Sequence, residues 1–542
     1  MIIGTVKGPG KVANDYLFIT TDNEHARVGE FVFYKACGRE ILGTITGCRL
    51  ARMLPDGLLA DPETPPQIIT DLLGMEAGCE LYEVNVSTIG YFDEALRDFV
   101  NPRVPPIPGQ SVWLASDQML ELVLNPCRPG QPGAAQIGSL LSRPEGRVPI
   151  VVSVKEIAST HLAILASTGA GKSYAAGVLV EEMLRPNNRA AILIVDPHGE
   201  YGTLKDLEAI PELCEGSYAP KVKILLPDRV RVRFNTLKFS DIRYLLPEMT
   251  DKQSYYLSRG FQELQSRRTY GFRDLYEAML QLKYEDSEQR TLAASTIEAV
   301  CWKLEYRFRS SKVFSDVEHN HLTELFQPGQ CTVLQLNEID QHEQQVIVGT
   351  LLRRISDARI GWVTQRNLAA NPEDQLPFPV FILLEEAHRF APATANVVST
   401  DILRQILSEG RKFGIGVGLI TQRPGKLDQD VLSQCQTQFI LRIVNPIDQK
   451  TIASSIESVG RSTLDELPAL SKGQLIVAGV AINVPVLCRV RQRLTRHGGQ
   501  TIDAPQEWAK WYSESVQREL ERSRSVLLKP EGRRVQYDGI DV

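Results

Sequence analysis

Long apolar runs are missing from this chain of 542 residues. Nowhere do 18 apolar residues stand in a row, so no segment reads as a membrane-spanning helix. The first residues, MIIGTVKGPGKV, lack the charged-then-apolar layout of a secretory signal. The expectation is a soluble, cytoplasmic protein with no membrane partner. Cysteine is scarce: nine residues are scattered from Cys37 to Cys488 without a C-x-x-C pair. They read as ordinary reduced core residues, and neither a zinc site nor a disulfide framework is indicated. A basic excess is also missing, with 60 Lys and Arg against 66 Asp and Glu and a net charge of −6. Contact with a polyanion must then be confined to a local surface such as a lined channel. What the chain does have is length and 43% hydrophobic residues, enough for about three or four structural units.

The stretch LAILASTGAGKSYAAGVLVEEMLRPNNRAAILIVDPHGEY, 162–201, organises the rest. An apolar run leads into Thr168, Gly169, Ala170 and Gly171, then Lys172, Ser173, Tyr174 and a helix-forming segment. That is strand, phosphate loop, helix. Glycines let backbone N–H groups curve around a polyphosphate, Lys172 offers a point charge to the β and γ phosphates, and the Ser173 hydroxyl offers a magnesium ligand. ATP and Mg2+ are the expected ligands. Ala166 occupies the first glycine position, which is tolerable if φ stays negative. The next strand ends at Asp196, where Asp196, His198 and Glu200 face the nucleotide or, alternatively, DPHG is only a turn.

The second constellation is VFILLEEAHRF, 380–390. A fully apolar strand ending in two carboxylates is costly unless a cation or polar ligand waits there. Glu385 takes the metal side, and Glu386 is placed as general base for the attacking water. Downstream, a helix with Ile402, Leu403, Ile406 and Leu407 on one face precedes the strand GIGVGLIT, which ends at Gln422. A strand-end Gln near a γ-phosphate senses it or orients water. Arg411 reaches outward, and Lys426 is a weaker candidate for a phosphate contact.

Organisation along the chain follows from periodicity. Short β runs with Gly, Pro and Asp punctuation, LPDGLLADPETPP the longest, predict a β-barrel over 1–124. Pro, Gly and Arg enrichment predicts a linker at 125–149 that wraps a neighbouring surface. An α/β core is expected over 150–237 and 329–500. It is interrupted at 238–328 by a helical bundle whose stripes, with Trp302 among them, should be core. The remainder, 501–542, reads as an amphipathic helix and a bracing tail.

LAILASTGAGKS, DPHGEY, FILLEEAHRFAP, SEGRKFGIGVGLITQRP and LRIVNPIDQ together resemble the HerA family of hexameric DNA translocases, in the FtsK/HerA branch of RecA-like P-loop ATPases. The resemblance spans nearly the whole chain. It implies an α/β RecA-like core with an N-terminal HAS-barrel and an inserted helical bundle. It also implies a homohexamer that hydrolyses ATP to move double-stranded DNA, with a NurA-like nuclease, in end resection and recombinational repair. On this sequence Lys172 and Ser173 match Walker A, Glu385 and Glu386 Walker B, Gln422 the sensor and Arg411 an arginine finger. Thr160 stands where some relatives carry Arg. Two other classes stay open: an ATPase scaffold or sensor for a nuclease or defence effector, and a secretion or conjugation motor.

Overall fold

The computed structural model describes residues 1–12, 14–51, 81–246, 248–264, 267, 269–285, 290–309, 311–366, 372–456, 460–496, 498 and 503–527. Alternation of inward and outward side chains, cleanest in the second strand, builds the first part. Strands β1 (Ile2–Pro9), β2 (Asp15–Thr20), β3 (Phe31–Ala36), β4 (Arg39–Leu50), β5 (Tyr82–Asp93), β6 (Asp98–Val100) and β7 (Ser111–Leu114) run in the order β2-β1-β7-β3-β4-β5-β6. A second pairing of β2 with β5 closes six of them into a barrel, leaving no free edge in the ring. Tyr16 and Phe18 of β2 turn inward, and Tyr16 meets Tyr34 edge to face at 5.4 Å. β1 reads IIGTVKGP, with glycine and proline among its eight residues. Its Gly4 breaks the apolar pattern because Ile19 O and the Phe18 ring come within 2.5 and 2.6 Å of where a Cβ would stand. The LPDGLLADPETPP run lies outside the described residues.

The central sheet has eleven strands: β8 (Ala134–Leu140), β9 (Pro149–Ser153), β10 (Leu162–Leu165), β11 (Ile192–Asp196), β12 (Lys221–Leu225), then β15 (Gln330–Gln335), β16 (Val380–Leu384), β17 (Ile415–Thr421), β18 (Thr437–Leu441), β19 (Gln474–Gly479) and β20 (Val486–Val490). The small pair β13 (Val232–Arg233) and β14 (Phe314–Ser315) stands apart. Spatial order is β12-β15-β11-β16-β17-β10-β18-β19-β20-β8-β9. From β12 to β18 the strands are parallel, and the rest are antiparallel. Every residue of β10, β11, β16, β17 and β18 is buried, as a parallel sheet covered on both faces requires. This is the RecA-like P-loop core, with β17 between the phosphate-loop strand β10 and the carboxylate strand β16.

The expectation of a linker over 125–149 needs correction, because that segment contains β8, paired to β20 and β9. Its Pro and Gly residues flank a strand of small and apolar residues rather than a tether. Gly138 is required there, since a Cβ would lie 2.0 Å from Arg489 O. Beside it, Arg143 joins barrel to core by bonding Glu30 at 2.8 and 3.0 Å and Asp117 at 2.9 Å.

Helices Phe239–Leu245, Asp251–Leu264, Phe272–Glu285 and Arg290–Leu304 form the insertion, and their buried residues Leu257, Phe261, Leu275, Met279, Ile297, Val300 and Leu304 continue the main core. Trp302 corrects the expectation made for it: it is 66% exposed and stacks on Tyr306 at 5.6 Å. Ile297, Val300, Cys301 and Leu304 occupy one helical face, and a residue two positions from Val300 points away from it.

The unit Met1–Arg496 is compact, and a second unit follows it. In that second unit helix Ala504–Leu527 carries exposed Trp508, Trp511, Tyr512, Val516 and Leu520 along one stripe. Among the described residues no helix is long and apolar enough to cross a membrane.

Candidate functional site

The carboxyl ends of β10, β17 and β16 converge on one place. Gly169 and Gly171 adopt φ of 76° and 105°, the left-handed backbone that turns the loop's N–H groups inward. Ala166 keeps clear of positive φ and is buried, its N–H bonded to Thr421 O at 3.2 Å. Helix Lys172–Met183 starts directly after Gly171.

Lys172 Nζ pairs with Glu385 Oε1 and lies 3.3 Å from Glu386 Oε1. Burial works against the ammonium charge, but the Glu385, Glu386 and Glu200 carboxylates outweigh it and raise the Lys172 pKa. Glu385 is fully buried. Burial pushes its carboxyl up to about 7, against the pull of Lys172 and of a 2.7 Å hydrogen bond from Tyr201 Oη. Glu386 sits in the left-handed region at φ 52° and ψ 47°, a strained conformation for a non-glycine residue. Its Oε2 is buried without a hydrogen bond, 3.2 Å from His388 Nδ1, which itself bonds Thr421 Oγ1 at 3.0 Å.

Ser173 Oγ donates to Glu200 Oε2, so the structure brings Glu200 to the loop. Asp196 is instead consumed by the turn: Oδ1 accepts from the N–H groups of His198, Gly199 and Glu200, and Oδ2 from that of Tyr201 at 3.0 Å. The turn reading therefore describes Asp196, whose role is to aim Glu200 and Tyr201. His198 is exposed, its Nε2 3.4 Å from Arg389. Thr168 Oγ1 donates to Gln422 Oε1 at 2.8 Å, joining the loop to the residue that follows β17. The Tyr174 hydroxyl accepts from Arg493 N at 2.7 Å, tied to the chain after β20. Lys426 is exposed in a short turn. Arg411 is exposed in the 3₁₀ turn Gly410–Phe413, just before β17, at the opposite edge of the sheet from the loop. Sequence reasoning missed Tyr201 and His388 as site residues, although both fall inside the motifs DPHGEY and FILLEEAHRF.

Three carboxylates, one of them with an unmatched buried oxygen, and a hydroxyl make a hard-oxygen donor set of the kind that suits Mg2+. A family model described as "Helicase HerA, central domain" matches residues 135–355, beginning inside β8. "DNA double-strand break repair helicase HerA" of Pyrococcus furiosus is 26% identical over 94% of this chain and 97% of its own length. The protein of the same name from Saccharolobus solfataricus is 27% identical over 94% and 96%. Among solved structures, VirB4 of Thermoanaerobacter pseudethanolicus aligns with a TM-score of 0.47 at 13% identity, covering 67% of this chain and 97% of that one.

Proposed function

Since the chain belongs to the HerA family of P-loop ATPases, we propose that it is an ATP-hydrolysing motor that moves double-stranded DNA through a homohexameric ring. Its setting is DNA end resection and recombinational repair alongside a NurA-like nuclease. The observation that carries this reading is Lys172, held between Glu385 and Glu386 opposite a glycine loop, with Glu386 Oε2 unmatched.

Lys172 and the N–H groups of Gly169, Ala170, Gly171 and Ser173 bind the phosphates, with Thr168 and Tyr174 flanking them. Ser173 and Glu385 would hold Mg2+, with Glu200 beside them. When bound, the ion neutralises charge on the phosphate oxygens. Nucleotide entry exchanges the Lys172–Glu385 pair for Lys172–phosphate contacts. Glu386, strained and short of a donor, takes the proton of the attacking water, and Gln422, coupled to the loop through Thr168, orients that water.

Arg411 serves as arginine finger for the adjacent subunit. It precedes β17, whose seven residues at about 3.3 Å each set it roughly 23 Å from its own pocket. Lys172→Ala and Arg411→Ala, each nearly inactive alone, should regain ATPase activity when mixed and allowed to exchange subunits. Absence of recovery with exchange verified refutes the finger in trans. The DNA reading predicts duplex-stimulated ATP hydrolysis and an affinity that falls steeply with salt despite the acidic net charge. A flat salt dependence, or no stimulation by duplex DNA, removes DNA as substrate.

A further inference from the structure

Where the insertion returns to the sheet, two imidazoles and two carboxylates face each other far from any motif. His319 and His321 flank Asn320, whose side chain accepts from Arg231 N at 2.7 Å and so points elsewhere, leaving the two imidazoles side by side with ring centres 4.3 Å apart. His319 Nε2 lies 3.4 Å from Asp374 Oδ2, and His321 Nδ1 lies 3.1 Å from Glu373 Oε2. One ligand atom from each of His319, His321 and Asp374 lies within 4.8 Å of the other two.

Hydrogen bonding leaves this cluster incomplete. The His319 side chain is only 3% exposed, yet its Nδ1 has no hydrogen-bond partner, and the buried Nδ1 of His321 has none in bonding alignment. A buried imidazole nitrogen left unmatched is unfavourable unless something satisfies it. The carboxylate, by contrast, is already oriented from behind: Asp374 Oδ1 accepts from Arg354 and from Leu322 N, which leaves Oδ2 turned to His319. Outer partners that fix a carboxylate in this way are a regular companion of metal ligands.

We propose that His319, His321 and Asp374, with Glu373 as a fourth ligand, form a binding site for a divalent transition metal of the zinc class. Two imidazoles and one carboxylate within 4.8 Å of one another, with Glu373 beside His321, suit a four-coordinate ion and disfavour Mg2+, which prefers oxygen alone. The site ties the end of the helical insertion to the turn Pro372–Asp374, which feeds the strand carrying Glu385 and Glu386. It is separate from the nucleotide pocket and does not depend on the function assigned there.

The test uses the full chain, stripped with a chelator and titrated with Co2+ and then Zn2+. We expect one equivalent per chain and the visible absorption of four-coordinate Co2+ without thiolate charge-transfer bands, which separates this site from the cysteines. His321→Ala and His319→Gln should each weaken Zn2+ binding by at least about 100-fold, and Glu373→Ala by about 10-fold. If His319→Gln does not fold, the more exposed His321 decides. Binding weaker than about 1 μM in the unaltered protein, or binding that survives His321→Ala, overturns the proposal.

Discussion

Helix Lys172–Met183 carries a buried charge cluster at each end, and the two are built to opposite rules. At its carboxyl end, Glu181 accepts from Arg491 at 2.9 Å, from Thr495 N at 3.0 Å and from Thr495 Oγ1 at 2.9 Å. Glu182 accepts from Arg491, Arg185 and Gln136 N at 2.8, 2.7 and 3.0 Å. Every oxygen of the pair is matched, and Gly177 leaves room for Arg493, whose guanidinium carbon stands 2.6 Å from where a Cβ would be. At its amino end, Glu386 Oε2 is buried and unmatched, Glu385 is pushed up to about 7, and a glutamate occupies left-handed backbone. A cluster that only holds the fold closes on itself. One that waits for a ligand keeps an oxygen in reserve.

The comparison breaks most sharply at Glu386. Glu386→Gln should leave ATP binding intact and lower turnover by about 10²- to 10⁴-fold, as loss of a general base does. Lys172→Ala should abolish nucleotide binding itself. Both are read from equilibrium nucleotide binding beside steady-state hydrolysis, and equal loss of binding in the two variants refutes the division of roles. At the other end, Glu181→Ala should act on stability, by about 3–5 kcal/mol, because Arg491 and Arg493 lose a buried partner. Denaturant unfolding measures this, and a loss under about 1 kcal/mol would mean the cluster is not the clasp described. The smallest effect is expected from Tyr201→Phe, about 10-fold in kcat/KM with folding nearly unchanged. Since the phenol stabilises ionised Glu385, its loss raises that carboxyl further above 7. The acidic limb of the kcat/KM profile should then move to higher pH, and an unmoved limb would leave Tyr201 a packing residue.

The amino-end cluster was largely legible in the sequence, and the carboxyl-end one was not. Lys172, Ser173, Glu385 and Glu386 sit in short motifs whose chemistry follows from residue type and strand context, so their meeting could be anticipated. Glu181 and Glu182 look like the polar end of any helix, since their partners Arg491 and Thr495 are some three hundred positions away and no local pattern points to them. Trp302 misled for a related reason: apolar character was counted without its angle around the helix. β8 was hidden by flanking Pro and Gly residues, which mark the ends of a strand as readily as a tether. Asp196 shows the limit within a motif, because a carboxylate at a strand end serves equally to hold a turn or a metal, and only the N–H groups around it tell which.

The pairing of β8 with β20 also sets a timetable for synthesis. A ribosome that has finished the barrel and β8 must still deliver some three hundred and fifty residues before β20 appears and the sheet between β18 and β9 can close. Contacts this distant in sequence form slowly, since the loop must be ordered before the pairing repays it. Until then β8 keeps one backbone edge unpaired, an opening for mispairing with another nascent chain. Parts of the protein lacking residues 486–490 should for the same reason be insoluble even where the nucleotide loop is intact.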